Sequence, residues 1–225
     1  MIQFEENERV AGEVFLRLAG TTDEFEAYAH PHAVRVARLA DELAKVFRLA
    51  RADRSALLFA ALSHDIGEMT MKRDYIKRNG SLTEEERVDL ARHPVIGEQE
   101  AARAGASRGT QLLVRWHHEW WNGAGYPDAL RGEQIPLAAR LLHVADAYAS
   151  LTDARPFRPA RTEAEARVHL AEWAGIEFDP RVTRAFLAIH ALPEPRSYAG
   201  AAEAIARRPE MDEQRASATP SILGL

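Results

Sequence analysis

The sequence predicts a protein built of α-helices, and three observations carry that expectation. Apolar residues recur at helical spacing over most of the chain, as in the stripe His32, Val36, Leu39, Leu43 and Val46. Helix boundaries are marked by local chemistry: Thr83 with Glu86 and Thr162 with Glu165 have capping-box spacing, while Gly20, Gly105 and Gly175 read as stops. No stretch alternates convincingly as a strand would, and no internal repeat stands out.

Taken in order, a short first helix is expected over 5–18, ended by Gly20. A strongly helical pattern covers 23–49, with His32 turned toward the core and His30 away from it. Asp53 is placed to cap a helix over 54–65, apolar on every side from 56 to 62, which delivers His64 and Asp65 at its end. The basic run 71–80 reads as a solvated loop with the charge to meet a phosphate. Thr83 starts a helix reaching residue 92, and the proline after His93 starts the next, which Gly105 ends. A helical run over 110–118 closes on His117 and His118 and gives way to a loop built on Gly123, Gly125 and Pro127. After a turn at 131–134, Pro136 opens a nearly unbroken apolar helix over 137–151 that nevertheless carries His143 and Asp146. Thr162 opens another helix, and Asp179 with Pro180 caps the last, running to residue 190. Residues 1–22 therefore read as an N-terminal helical extension, 23–190 as the main domain, and 191–225 as a polar, Pro-containing tail.

The bulk composition narrows the function. At 225 residues, with 46% hydrophobic and 28% charged side chains, the chain has an ordinary globular make-up. A net charge of −5 and a pI of about 6.0 argue against a nucleic-acid polymer as the main ligand. An anionic small molecule is compatible with this charge only through a local basic cluster or metal ions. The absence of cysteine excludes disulfides, thiolate ligands and a cysteine nucleophile, and fits a cytoplasmic protein. No apolar run approaches the roughly 18 residues of a membrane span, and the acidic start (Glu5, Glu6, Glu8) is no signal peptide.

Five histidines (His32, His64, His93, His117, His118) and two aspartates (Asp65, Asp146) lie at helix ends or on buried helices. Each alone has a bland explanation, such as a core histidine or a carboxylate paired with an arginine. Buried carboxylates are expensive unless they are paired or bound to a cation, and no matching supply of buried cations accompanies these. Together they favour a metal site. Adjacent residues on a helix diverge by about 100°, so His64 and Asp65 share an ion only if it sits between them. Imidazoles with carboxylates and no sulfur suit iron, manganese or zinc. The set is too large for one ion, which implies at least two, bridged by a carboxylate. His143 is read as core or as support for Asp146; His169, Trp173 and His190 are read as structural.

The ordered set of motifs resembles the HD superfamily of metal-dependent phosphohydrolases, and specifically its HD-GYP subgroup. The residues that carry the resemblance begin with His32-Ala33-Val34-Arg35-Val36, His64-Asp65-Ile66-Gly67 and Gly80-Ser81-Leu82-Thr83-Glu84-Glu85-Glu86. They continue with His93-Pro94-Val95-Ile96-Gly97, His117-His118-Glu119, Asn122-Gly123-Ala124-Gly125-Tyr126-Pro127 and Arg155-Pro156-Phe157-Arg158. The resemblance implies an all-α HD-domain bundle with a Gly-Tyr-Pro loop between helices. It also implies hydrolysis of cyclic di-GMP to the linear dinucleotide pGpG or to GMP. Carried over by position, His32, His64, Asp65 and Asp146 would hold one ion, and His93, His117 and His118 a second, with Asp65 bridging. His64 and Asp65 would form the catalytic pair, and Tyr126 and Arg155 would touch substrate phosphate. Two divalent ions are implied, iron or manganese before zinc. The loop Gly125-Tyr126-Pro127 is linked in the family to contacts with diguanylate cyclase domains.

Three departures accompany the resemblance. Glu68 stands where the family usually has lysine, Tyr28 where some members place a glutamate for a third ion, and Ala149 where an aspartate is common. They imply two ions rather than three, and they keep two other readings open. One is a catalytically weak domain that binds cyclic di-GMP or a partner; the other is a phosphohydrolase acting on another phosphoester.

Overall fold

In the computed structural model, residues 9–155 and 159–189 are described, and ten α-helices supply their regular structure. No strand occurs among these residues; Ala174 and Phe178 form an isolated bridge. The helices are α1 (Arg9–Phe25), α2 (His32–Val46), α3 (Arg51–Ser63), α4 (Ile66–Met71) and α5 (Glu84–Leu90), then α6 (His93–Arg103), α7 (Arg108–Trp116), α8 (Leu137–Thr152), α9 (Glu163–Glu172) and α10 (Pro180–Ile189).

The core is organised on α2 and α8. The expected stripe of α2 is buried at His32, Val36, Leu39 and Leu43, with Ala33, Ala37, Ala40 and Ala44 beside it, so neighbours approach closely. Val46 departs from the expectation: it is 54% exposed, because the helix ends there and the stripe has no further partner. Helix α3 packs on α2 through Leu57, Phe59 and Leu62, and α8 packs on both through Leu141, Leu142 and Ala145. Full burial of each large apolar side chain contributes about 2 kcal/mol, so packing fixes these helices far more than intrinsic propensity does. His143 and Asp146 are carried into the core on the buried α8.

Three boundaries differ from the sequence expectation. Helix α1 runs through Gly20 and past residue 22, where a stop was expected. An interior glycine costs about 1 kcal/mol relative to alanine, and burial of Phe15 and Ala19 against the core outweighs it. The pattern over 23–49 is two helices: the chain breaks between α1 and α2, with Ala27 at φ 62° and Pro31 at the N-cap of α2. Proline has no capping side chain, and the buried Asp23 carboxylate accepts the Ala33 N–H at 3.1 Å in its place. Helix α3 starts at Arg51 after Ala50, so Asp53 lies inside the first turn rather than at the cap.

Both expected capping boxes are present, Thr83 with Glu86 at α5 and Thr162 with Glu165 at α9. The basic stretch after α4 folds partly into a 3-10 turn at Asp74–Lys77. Its arginines are engaged with acids, Arg73 with Asp89 and Arg78 with Glu86, as in a solvated surface. The expected tail, 191–225, and His190 lie outside the described residues. No helix of the described residues is long and apolar enough to cross a membrane.

Candidate metal centre

The helix ends deliver the polar residues to one place. Helix α3 stops at Ser63 and α4 begins at Ile66, with Asp65 between them at φ −98° and ψ 13°. This change of course solves the divergence of neighbouring side chains on a helix, and His64 Nε2 comes 3.0 Å from Asp65 Oδ2. Helix α6 is held against the start of α4 by Gly67, where a Cβ would fall 2.0 Å from the His93 carbonyl oxygen. Only glycine allows that approach. His93 Nε2 is thereby set 3.3 Å from Asp65 Oδ1. His117 and His118 follow the last residue of α7, and His117 Nε2 is 3.5 Å from the same Asp65 oxygen. On the other side, His32 Nε2 and His64 Nε2 lie 3.3 and 3.6 Å from Asp146 Oδ1.

The structure thus brings all seven expected ligands together, in two groups whose donor atoms fall within 4.8 Å of one another. One group is His32, His64 and Asp146; the other is Asp65, His93, His117 and His118. The outer ring nitrogens are spoken for. Nδ1 of His64, His93 and His117 meets the carbonyl oxygens of Ala61, Leu90 and Val114 at 2.9, 2.8 and 2.6 Å, and Nδ1 of His32 meets Asp153 Oδ2 at 2.9 Å. An Nδ1 that donates outward leaves the Nε2 lone pair facing inward, the arrangement of metal-binding imidazoles. His93 Nε2 and His117 Nε2 face each other at 3.3 Å. His32 Nε2, His64 Nε2 and Asp65 Oδ1 are buried without a hydrogen-bond partner. Unsatisfied buried polar atoms are costly, and these three are aimed at the two groups, so the residues fit divalent ions.

Electrostatics divides the site. Burial opposes a charged His64, but Asp65 and Asp146 together outweigh it and hold its imidazole well above the usual value. His32 is raised in the same way, against burial, by Asp146 and Asp153. His118 is pushed well below the usual value by burial and by His117 and His93, and His117 is lowered as well. Asp65 and Asp146 sit well below the normal carboxylate range, because the surrounding imidazoles more than offset their burial.

Sequence reasoning missed several contributors. Asp153 orients His32 and also pairs with Arg35. A third group, Glu26, Asp65 and Glu68, gathers carboxylate oxygens within 4.8 Å, with Glu26 Oε1 buried and unpartnered. Glu26 lies in the break before α2, where a continuous helix was expected, and so reaches the centre that Tyr28 was expected to leave without a carboxylate. Tyr28 instead stacks on His32 with ring centroids 4.0 Å apart. Burial and the Asp65 charge push Glu68 up to about 7, and burial with Asp65 and Glu68 raises Glu26 well above its usual range. Arg73, from the basic run that follows, does not serve Glu68; it goes to Asp89. The cation near these acids is Arg155, which binds Glu26 Oε2 at 3.1 Å and lies 3.9 Å over the Tyr28 ring.

The Gly-Tyr-Pro loop is fastened to the site from below. The buried Glu119 carboxylate accepts the backbone N–H groups of Asp128 at 2.6 Å and Leu130 at 2.9 Å, while Arg115 and Trp116 grip the Asp128 side chain. Gly125 packs so tightly that a Cβ would meet the Trp120 nitrogen at 2.2 Å. These contacts place the Tyr126 ring 5.0 Å from His118 and 6.3 Å from His93. His143 stays outside both ligand groups, with Nδ1 3.0 Å from the Glu119 carbonyl oxygen.

Comparison with known proteins agrees with this geometry. The family model described as HD domain matches residues 23–182. A cyclic di-GMP phosphodiesterase of Vibrio cholerae serotype O1 is 39% identical over 56% of this chain and 27% of its own length. The cyclic di-GMP phosphodiesterase response regulator RpfG of Xanthomonas campestris pv. campestris is 35% identical over 83% of this chain and 49% of its own. This chain therefore spans about half or less of the length of these relatives. The crystal structure of a cyclic GMP-AMP specific phosphodiesterase of V. cholerae superposes with a TM-score of 0.60 at 18% identity, covering 78% of this chain and 48% of that one, and shares the fold. With most of its length matched by the family model, the chain belongs to the HD domain family.

Proposed function

We propose that this chain is a metal-dependent phosphodiesterase that hydrolyses cyclic di-GMP to pGpG or GMP in the cytoplasm. The observation that carries the reading is the gathering of seven candidate ligands into two groups, His32, His64 and Asp146 in one and Asp65, His93, His117 and His118 in the other, with Nε2 of His32 and His64 and Oδ1 of Asp65 buried and unpartnered. His32, His64, Asp65 and Asp146 would hold one divalent ion, and Asp65, His93, His117 and His118 the other, iron or manganese before zinc. Two ions bound in this way supply an activated water and offset the charge that develops on phosphoryl oxygens. Tyr126 and Arg155 would position the phosphodiester. Burial keeps the Tyr126 phenol protonated and able to donate, and Arg155 offers a planar fork suited to phosphate. The relatives' names support the substrate class.

The test is metal analysis of anaerobically purified protein coupled to turnover of cyclic di-GMP. Two ions per chain and metal-dependent hydrolysis are expected. Glu26 Oε2 is paired with Arg155 at 3.1 Å and burial holds the Glu26 carboxyl well above its usual range, so the carboxylate group is not counted as a third ion site. A count of three that falls to two in both Glu26→Gln and Glu68→Gln would overturn the count and assign the third ion to those acids.

A second reading is favoured by one observation, the Glu68 carboxylate placed beside Asp65, where its ionised form opposes an incoming phosphate. In that reading the domain binds cyclic di-GMP, or a diguanylate cyclase domain through Gly125, Tyr126 and Pro127, and turns over slowly. Tight binding without metal-dependent turnover would select it. A substrate panel separates a third reading, hydrolysis of another phosphoester.

A further inference from the structure

A cavity of ≈ 230 Å³ adjoins the metal centre. His118 and Asp146, both in the ligand groups, form part of its wall, and His143, His169, Glu177 and Leu151 line the rest. A larger cavity of ≈ 460 Å³, among Phe47, Leu113, Trp116 and Leu137, shares no lining residue with the centre. The smaller one, walled by His118 and Asp146, is a space that a group attached to a phosphate at the centre would enter.

Its chemistry is selective. Glu177 sits in the turn between α9 and α10, which the bridge between Ala174 and Phe178 closes, and its backbone carbonyl accepts the Trp121 N–H at 2.9 Å. His143 Nε2 lies 3.2 Å from Glu177 Oε1, so the two side chains face each other across the cavity wall. A carboxylate only accepts hydrogen bonds, and one contact leaves it capacity for more. The His169 ring is fixed by Trp173 and Phe178, with centroids 5.8 and 6.3 Å away, and with Leu151 gives a planar group a surface to lie against.

We propose that this cavity is the subsite for a guanine base of the substrate, with Glu177 reading the guanine edge. Guanine presents two adjacent donors, N1–H and the exocyclic amino group, which an acceptor-only carboxylate matches. Adenine presents an acceptor at N1 and would leave two lone pairs opposed. The subsite rests on the proposed function, since a phosphate at the metals is what brings a base to this wall.

The experiment uses the metal-loaded full chain and measures equilibrium binding and steady-state hydrolysis of cyclic di-GMP, cyclic GMP-AMP and cyclic di-AMP. Wild-type, Glu177→Gln and His169→Ala proteins are compared at matched metal content. Loss of one charge-assisted hydrogen bond is expected to weaken cyclic di-GMP binding by about tenfold or more in Glu177→Gln. The effect should fall on KM more than on kcat, with a collapse of the preference over cyclic di-AMP. His169→Ala is expected to weaken all three ligands without changing their order. Unchanged cyclic di-GMP affinity and preference in Glu177→Gln would overturn the subsite, as would wild-type binding that does not distinguish guanine from adenine. Hydrolysis of bis(p-nitrophenyl) phosphate by the wild-type protein, a diester with no base, separates the two failures. If that reaction is present while the guanine preference is absent, only the subsite falls; if wild-type protein hydrolyses no diester, the proposed function falls with it.

Discussion

The two halves of the centre share Asp65 but are built on different electrostatics. Around His32 and His64, carboxylates dominate: Asp146, Asp153 and Asp65 hold both imidazoles above their ordinary values. Around His117 and His118, imidazoles crowd one another in a dry setting, and both are held below. A divalent ion entering the first half would compete with protons at both imidazoles, whereas in the second half only His93 is raised, by Asp65 and Glu68, and His117 and His118 are held low. The difference teaches that one bridging carboxylate serves two sites of unequal proton competition.

The largest test of that comparison removes what the halves share. Asp65→Ala is expected to release both ions and abolish turnover, a fall of about three orders of magnitude or more. His64→Ala should also abolish turnover but spare the ion held by His93, His117 and His118. Metal content beside far-ultraviolet circular dichroism reads both outcomes. Full occupancy in the Asp65 variant would show that it does not bridge.

Acid should take the halves apart in order. Metal-free His32 and His64 bind protons more tightly than in the unfolded chain, so their stabilising contribution is complete below the ordinary imidazole value and is lost as pH rises through their raised values. His118 runs the other way: the unfolded chain takes up a proton that the fold refuses, and stability falls as pH drops below the ordinary value. Protons therefore compete with metal at His32 and His64 from a higher pH. In the other half only His93 is raised, so stepwise acidification should weaken the ion at His32 and His64 first and leave a species with one ion at His117 and His118. Simultaneous loss of both ions would show the halves to be equivalent.

A finer test touches one half through its support. Asp153→Ala frees His32 Nδ1 and is expected to cost about 10- to 100-fold in affinity for the ion at His32, with the other ion unaffected. Equal weakening of both ions would place Asp153 in the stability of the whole bundle instead.

The same contrast explains what was legible in the sequence. The seven candidate ligands stand out as a set, because so many imidazoles and carboxylates at helix ends and on buried helices, without matching cations, have few other reasons to be there together. The helices α5 and α9 were legible from their capping boxes, which act within four residues. Glu26 and Asp153 were not. Glu26 reaches the centre only because the chain breaks before Pro31, and nothing in its own neighbourhood distinguishes it from a surface acid. Asp153 follows the last turn of α8, and its target, His32, is far away in sequence. Gly20 misled because its local cost is smaller than the burial of Phe15 and Ala19 beside it. Local chemistry was readable, and long-range pairing was not.

Glu68 gives the smallest expected effect and the sharpest argument. Its carboxylate is buried against Asp65 and within the reach of Glu26, and burial with the Asp65 charge pushes its pKa to about 7. Near neutral pH it is therefore partly ionised and works against a phosphate anion at the metals. Glu68→Lys would remove that charge and give Glu26 and Asp65 a cation, releasing Arg155 from part of its duty. Against this, a lysine would repel Arg155 and compete with metal for Asp65. At about 5 Å and an effective dielectric near 20, opposed unit charges are worth roughly 3 kcal/mol before screening by solvent and metal. A gain of about tenfold in kcat/KM for cyclic di-GMP, or roughly 1.4 kcal/mol, is what should survive. Glu68→Gln, which removes charge without adding any, should gain less. Steady-state rates for the three proteins at matched metal content decide the matter. If both substitutions slow the enzyme, Glu68 acts in the site as a ligand or proton carrier, and the carboxylate group it forms with Glu26 becomes a third working part beside the two halves.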